Sequence, residues 1–118
     1  MKKILFILLL MPNLASANEE MQFVPALLDV PAFYSMEFSE DTIVEFDSAW
    51  GSVVEIDGKC NCDCKAVENY YDLIMPNVGW ELYPTDEDEK LYIRDGINLV
   101  MMTKDNGYSC KVSFSQTN

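Results

Sequence analysis

The clearest alternation of polar and apolar positions in the chain lies between residues 64 and 75. The polar residues of this stretch are spaced at i, i+3, i+4 and i+7, which places them on one side of a helix. They are Lys65, Glu68, Asn69 and Asp72. Apolar and aromatic residues repeat the same spacing on the other side. Because Asp63 is a good N-cap residue and Pro76 disfavours continuation, the pattern predicts an amphipathic helix over residues 64–75.

Strand patterns lie on both sides of this helix. Residues 42–46 and 52–56 are β-branched and aromatic runs around a turn, and they predict a hairpin. Further runs follow at 80–83, 90–94, 97–103 and 108–115. Asp95-Gly96 is a strong two-residue hairpin signal between two of them.

The last run alternates clearly between apolar and polar residues. Its residues predicted to point inward are Tyr108, Cys110, Val112 and Phe114. The predicted element order over the whole chain is β-β-α-β-β-β-β. Residues 41–118 should therefore form a single α+β domain, with one amphipathic helix packed on a mostly antiparallel sheet.

The first 17 residues have the pattern of a secretory signal peptide. Lys2 and Lys3 precede an apolar run that is too short to span a bilayer, and Ala15-Ser16-Ala17 is a small-residue cleavage site. This pattern predicts cleavage after Ala17 and a periplasmic or secreted bacterial protein. No later stretch has the length of a transmembrane helix, so no membrane span is expected.

Residues 18–40 differ in character from both the signal peptide and the domain. Pro25 and Pro31 interrupt several apolar residues, which disfavours both a helix and a central strand. We therefore expect an extended arm. Because the arm is apolar, it should lie against another surface.

The run from Leu99 to Met102 predicts that one strand is apolar on both faces. A single helix covers only one face of a sheet, so something else should cover Val100 and Met102. The arm of this chain, residues 22–40, is the favoured cover. The alternative is another protein, either a second copy or a different partner, and methionine suits such a surface. The contact residues would then be Val100, Met102, Phe23, Leu27, Leu28 and Phe33.

The four cysteines are the second feature of the sequence that bears on function. They are Cys60, Cys62, Cys64 and Cys110. In an exported protein an even number of cysteines indicates disulfides first. Because a bond between residues i and i+2 is awkward, Cys62–Cys110 with Cys60–Cys64 is the favoured pairing. A thiolate site for Cu(I) or Zn(II), or a redox-active pair, remains an alternative.

Composition and charge narrow the functional classes. The chain has 118 residues and a formal net charge of −12, which disfavours a nucleic-acid partner. Residues 18–118 keep all 20 acidic residues but only six of the eight basic ones, so their net charge is −14. The absence of histidine removes His-dependent catalysis and His-containing metal sites. The acidic run at 86–89 has no glycine and is interpreted as a solvated loop.

Two short motifs resemble a known class of proteins. They are Phe46-Asp47-Ser48-x-x-Gly51 and Val67-x-x-Tyr70-Tyr71-x-x-x-Met75-Pro76-x-x-Gly79-Trp80. Over about residues 40–115 the chain is similar to small exported bacterial proteins of unknown function, in which a helix ends in a Leu-Pro-x-x-Gly-Trp-like motif before a β-meander. The resemblance implies an architecture and no catalytic residues, and it does not include the cysteine cluster.

These observations predict a non-catalytic exported domain that binds a protein in the cell envelope or associates with itself. No catalytic motif, cofactor site, metal site or small-molecule substrate is evident in the sequence. The alternative function is a thiol-based metal-binding or redox protein that uses Cys60, Cys62, Cys64 and Cys110.

Overall fold

The computed structural model describes residues 22–83, 85 and 89–118. The predicted signal peptide, the first residues of the predicted arm (18–21) and residues 86–88 of the acidic run lie outside this part of the chain. Within the described residues the fold is one α-helix and a seven-stranded antiparallel sheet. The predicted α+β class, with one helix on a mostly antiparallel sheet, is confirmed.

The elements follow one another in the order β-β-β-α-β-β-β-β. The strands are β1 (Glu37–Phe38), β2 (Val44–Ser48), β3 (Gly51–Cys60), β4 (Glu81–Tyr83), β5 (Glu89–Arg94), β6 (Ile97–Asp105) and β7 (Cys110–Thr117), and the helix is α1 (Cys64–Asn77). The strand order in the sheet is β1-β3-β7-β6-β5-β4. β2 and β1 pair with successive parts of the free edge of β3. The predicted element order omitted the two-residue strand β1, which lies within the predicted arm.

The helix begins directly after the predicted N-cap residue and ends close to the proline predicted to end it. The Asp63 side chain accepts a hydrogen bond from the backbone N–H of Lys65 at 3.1 Å, as an N-cap residue does. The helix runs two residues further than predicted, and Pro76 lies in its last turn. Gly79 has a φ of +97°, a conformation that favours glycine, and it reverses the chain before the buried Trp80.

Two turns separate the last three strands. Asp95 and Gly96 both have positive φ values, +51° and +82°, so they form the tight hairpin predicted between β5 and β6. The next turn lies later than predicted because β6 continues to Asp105 and β7 begins at Cys110. Tyr108 is consequently in the turn and 96% exposed, so its predicted inward orientation is wrong.

The core lies between α1 and one face of the sheet, which we call the helix-side face. Alternate residues of the central strands point into it and are buried. They include Ile56, Tyr92, Leu99, Met101, Val112 and Phe114. Val67, Tyr71 and Met75 of α1 pack against them with the spacing predicted for the inward side of the helix.

The segment that precedes the domain is a compact loop and not an extended arm. In residues 22–36, which we call the N-terminal loop, backbone hydrogen bonds from Val24 to Val30 and from Ala32 to Gln22, both 2.8 Å long, close the chain on itself. The side chains of Val24, Val30 and Phe33 join the core on the helix-side face. The prediction that this segment covers the opposite face is therefore wrong.

Buried polar side chains hold the N-terminal loop in place. The Tyr71 hydroxyl donates to the carbonyl of Pro31 at 2.7 Å, and the Trp80 indole N–H donates to the carbonyl of Asp29 at 2.9 Å. Gln116, 5% exposed, accepts from the backbone N–H of a third loop residue at 2.8 Å. Because buried polar groups need hydrogen-bond partners, the loop and these side chains satisfy each other.

A pair of tyrosine variants tests this hydrogen-bonding account. Burial raises the pKa of both Tyr71 and Tyr92, so both phenols stay protonated near neutral pH. Tyr71→Phe leaves the Pro31 carbonyl without its donor and should lower the free energy of unfolding by about 1–2 kcal/mol. The Tyr92 hydroxyl is buried without a hydrogen-bond partner among the described residues. Tyr92→Phe should therefore leave the free energy of unfolding unchanged or raise it by about 1 kcal/mol.

Urea unfolding followed by circular dichroism measures both values. Equal destabilisation by the two substitutions would contradict the assignment of different roles to the two hydroxyls.

Candidate functional site

The face of the sheet opposite α1 is the most unusual surface of the described chain, and we call it the open face. It consists of the alternate residues that do not point into the core. Its apolar members are Val44, Phe46, Val53, Tyr83, Leu91, Ile93, Val100 and Met102. The helix and the N-terminal loop both pack on the other side, so no described element covers this face.

Strand register brings these residues into two apolar rows on the sheet. Val100 of β6 stands opposite Leu91 of β5, which stands opposite Tyr83 of β4, and residues so paired are within contact distance. In the second row, Val53 of β3 stands opposite Phe46 of β2. The polar open-face residues of β7, which lies between β3 and β6, separate the two apolar rows. They are Ser113, Ser115 and Thr117.

The exposure of these residues varies across the open face. Met102 is 43% exposed, Phe46 45% and Val44 49%, whereas Val100 is half-buried and Val53 is only 7% exposed. Large apolar side chains gathered on one face favour an interaction that removes them from water. The expectation that β6 has apolar residues on both faces therefore agrees with the structure, but the described chain supplies a cover for only one of them.

The six residues predicted to contact a partner do not lie together. Val100 and Met102 are on the open face, whereas the other four are in the N-terminal loop on the helix side. Phe23 and Leu28 are exposed there, Leu27 is half-buried, and Phe33 is only 5% exposed. Phe33 packs edge-on against the ring of Tyr70 at 5.3 Å, so the structure corrects its assignment to a contact surface.

Other open-face residues escaped the sequence analysis. Leu91 and Tyr83 lie beside Val100, and Phe46 lies beside Val53, only because β5, β4 and β2 occupy particular positions and registers in the sheet. Their own strands are short and show weak alternation. The available signal was their apolar character at alternate positions, which becomes informative only when the neighbouring strand is known.

The cysteines pair differently from the favoured prediction. Cys64 pairs with Cys110, with 5.0 Å between their Cα atoms, and Cys60 pairs with Cys62. Cys64 is the first residue of α1 and faces the sheet, so it lies above Cys110 at the start of β7. Sequence spacing alone could not show which cysteine of the cluster the helix would carry over the last strand.

The pairing also bears on the thiol-based alternative. No cysteine in the structure is free, and no group of three or more metal-ligating side chains occurs among residues 22–83, 85 and 89–118. A thiolate centre built from all four cysteines would require reduction of both disulfides. The Cys64–Cys110 bond fixes the beginning of α1 to the sheet, so its reduction would loosen the packing of the helix.

In the described part of the chain no helix has both the length and the apolar character needed to cross a membrane. Comparison of the sequence with models of protein families and with curated proteins, and of the fold with solved structures, found no match.

Removal of the two disulfides should have very different effects. Cys64–Cys110 links residues 46 apart in sequence, and loss of such a link costs about 4 kcal/mol in the chain-entropy treatment. Cys60–Cys62 links residues two apart, so the same treatment gives about 1.5 kcal/mol. We expect Cys64→Ala with Cys110→Ala to lower the free energy of unfolding much more than Cys60→Ala with Cys62→Ala.

Guanidinium unfolding of the two double variants measures the difference, and mass spectrometry of non-reduced peptides identifies the pairs. A peptide joining Cys62 to Cys110 would contradict the arrangement.

Proposed function

We propose that this chain is a non-catalytic exported protein that acts by binding another protein through its open face. The observation that supports this proposal is the group of apolar side chains on β4, β5 and β6 around Val100 and Met102, which no described element covers. Burying one such side chain contributes roughly 1.5–3 kcal/mol. An interface that buries several of them has enough driving force for association.

The edges of the sheet are poorer candidates for an interaction than its face. β4, at one edge, is only three residues long. β2, at the other edge, carries Glu45 and Asp47 among its five residues. Short and charged edge strands discourage pairing with a strand of another chain. A partner is therefore expected to lie on the open face.

Export supports the same proposal. The first 17 residues have the pattern of a signal peptide, and disulfides persist in oxidising compartments such as the bacterial periplasm. A protein of the envelope or the surrounding medium meets other exported proteins there. Periplasmic or secreted localisation is accordingly part of the proposal.

A second candidate function, thiol chemistry, rests on the Cys60–Cys62 pair. A disulfide between residues two apart gains little from chain entropy and is easier to reduce than one that closes a long loop. Free thiols at Cys60 and Cys62 in protein isolated from its native compartment would favour this candidate. A fully oxidised protein would favour the binding role.

Charged substitutions on the open face test the binding proposal. Val100→Glu with Met102→Glu places two carboxylates on the apolar rows, so we expect at least a tenfold loss of captured partner. The matched control is Leu73→Glu, because Leu73 is 76% exposed and lies on α1, away from the open face. Immobilised wild-type and variant proteins are compared on one envelope extract by quantitative mass spectrometry.

Sedimentation velocity of the purified proteins shows whether a second copy is the partner. The binding proposal would be refuted if the double variant kept every interaction of the wild type and also sedimented identically. Equal losses in Leu73→Glu would show that the effect does not come from the open face.

A further inference from the structure

Three lysines form a row across one end of the open face. Lys59 on β3 stands directly opposite Lys111 on β7, and Lys111 stands directly opposite Lys104 on β6. All three are exposed. The alternation of each strand places them on the same face as Val100 and Met102. We call these three residues the lysine row.

The lysine row is unexpected in so acidic a chain. Beyond residue 17 the sequence has six basic residues against 20 acidic ones, and half of the basic ones stand in this row. Like charges directly opposite each other on paired strands destabilise a sheet. With so many carboxylates in the chain, alternating charges at these positions would have favoured the fold more.

Carboxylates of the described residues neutralise the lysine row only in part. Lys111 lies 3.7 Å from a carboxylate oxygen of Asp57, at a site where both side chains are well exposed. Glu37 of β1 stands directly opposite Lys59 on the same face, but neither Lys59 nor Lys104 makes an ion pair within 4.0 Å among the described residues. The row therefore presents ammonium groups to solvent at the edge of the apolar surface.

The surface around Lys111 leaves room for a ligand on both sides. One depression, of about 420 Å³, extends from Lys111 past Lys59 to Thr42, and the carboxylates of Glu37 and Asp57 also line it. A second, of about 330 Å³, extends from Lys111 past Lys104 to Met102. A chain that crosses the row would thus meet cations and an apolar side chain together.

From this arrangement we infer that the partner of the open face is a different protein that presents an acidic, extended segment to Lys59, Lys104 and Lys111. This inference rests on the proposed binding function and specifies its partner. Alternate side chains of an extended segment are roughly 6.5–7 Å apart, and neighbouring strands of the sheet are roughly 4.8 Å apart. Flexible lysine side chains can span that difference, so two carboxylates can pair with the row.

Charge complementarity gives the row a role in specificity. The rest of this acidic chain repels an acidic partner, so a favourable contact exists only when its carboxylates meet the row. Apolar contacts in the middle of an interface supply most of the affinity, while charges at the rim fix its register. On the open face the lysine row lies at one end and the apolar row around Val100 lies nearer the middle, with the carboxylates of Asp57 and Glu89 between them.

A second copy of the chain fits the row less well. In a face-to-face dimer with aligned strands, a two-fold axis parallel to the strands between β3 and β7 places Lys59 of each copy on Lys111 of the other, and Glu37 is the one carboxylate that falls on a lysine of the row, Lys104. An axis across the strands places the row on uncharged residues near the other end of the open face, such as Val53 and Thr117. Both arrangements supply fewer carboxylates to the lysines than an acidic segment does, so a different protein is the better occupant.

Two synthetic peptides test the inference with the full exported chain, residues 18–118. One peptide alternates leucine with glutamate and the other alternates leucine with glutamine. Fluorescence anisotropy should show at least fivefold tighter binding of the glutamate peptide. Replacing Lys59, Lys104 and Lys111 together by glutamine should remove this preference. The single variant Lys104→Gln should reduce the preference for the glutamate peptide. The control variant Lys65→Gln, on the exposed side of α1, should leave that preference unchanged.

Carbodiimide coupling locates the contact, because it joins a lysine amine to a carboxylate that pairs with it. Mass spectrometry of the coupled glutamate peptide should identify Lys59, Lys104 or Lys111, and not Lys65. Circular dichroism of each variant confirms that the protein is folded.

The outcomes separate this inference from the proposed function. Equal binding of both peptides, or no binding of either, overturns the acidic partner. The acidic partner is also overturned if the triple lysine variant still binds the glutamate peptide more tightly than the glutamine peptide. Binding to phosphatidylglycerol vesicles in place of the peptides would assign the row to a membrane. The double variant Val100→Ser with Met102→Ser should bind both peptides more weakly, by the same factor. If this variant bound both peptides as tightly as the wild type does, the result would count against the binding function itself.

Discussion

The hydrogen bonds between the N-terminal loop and three buried side chains determine how the rest of the molecule is arranged. Tyr71, Trp80 and Gln116 come from the helix, the following turn and the last strand, and each needs a partner inside the core. The loop backbone supplies those partners. Because the loop is held beside α1, it completes the core on the helix side, and none of the described residues covers the other face of the sheet.

This arrangement gives the two faces of the sheet different roles. The helix-side face contains the core, and the Cys64–Cys110 disulfide strengthens it by fixing the first residue of α1 to β7. The open face contributes less to stability but carries the apolar rows and the lysine row. The sheet presents these residues at fixed spacing, and the proposed binding role depends on that spacing.

Periodic patterns within single elements were predictable, but contacts distant in sequence were not. The spacing from Lys65 to Asp72 located the helix, and the consecutive apolar residues around Val100 indicated two apolar faces. The position of the N-terminal loop depends on Gln116, 88 residues from its partner Leu28. The sequence signal for this contact was that Gln116, a polar residue, occupies an inward position of the last strand. The lysine row and the disulfide pairs likewise depend on register and on where the helix begins.

The placement of the N-terminal loop can be tested most directly by nuclear Overhauser effects in the protein in solution. The structure predicts cross-peaks between the rings of Phe33 and Tyr70, whose centroids are 5.3 Å apart, and between the Trp80 indole N–H and the backbone around Asp29. It predicts none between residues 22–36 and the methyl groups of Val100 or Met102. Cross-peaks from the loop to those methyl groups would show that the chain covers its own open face, which would contradict the account.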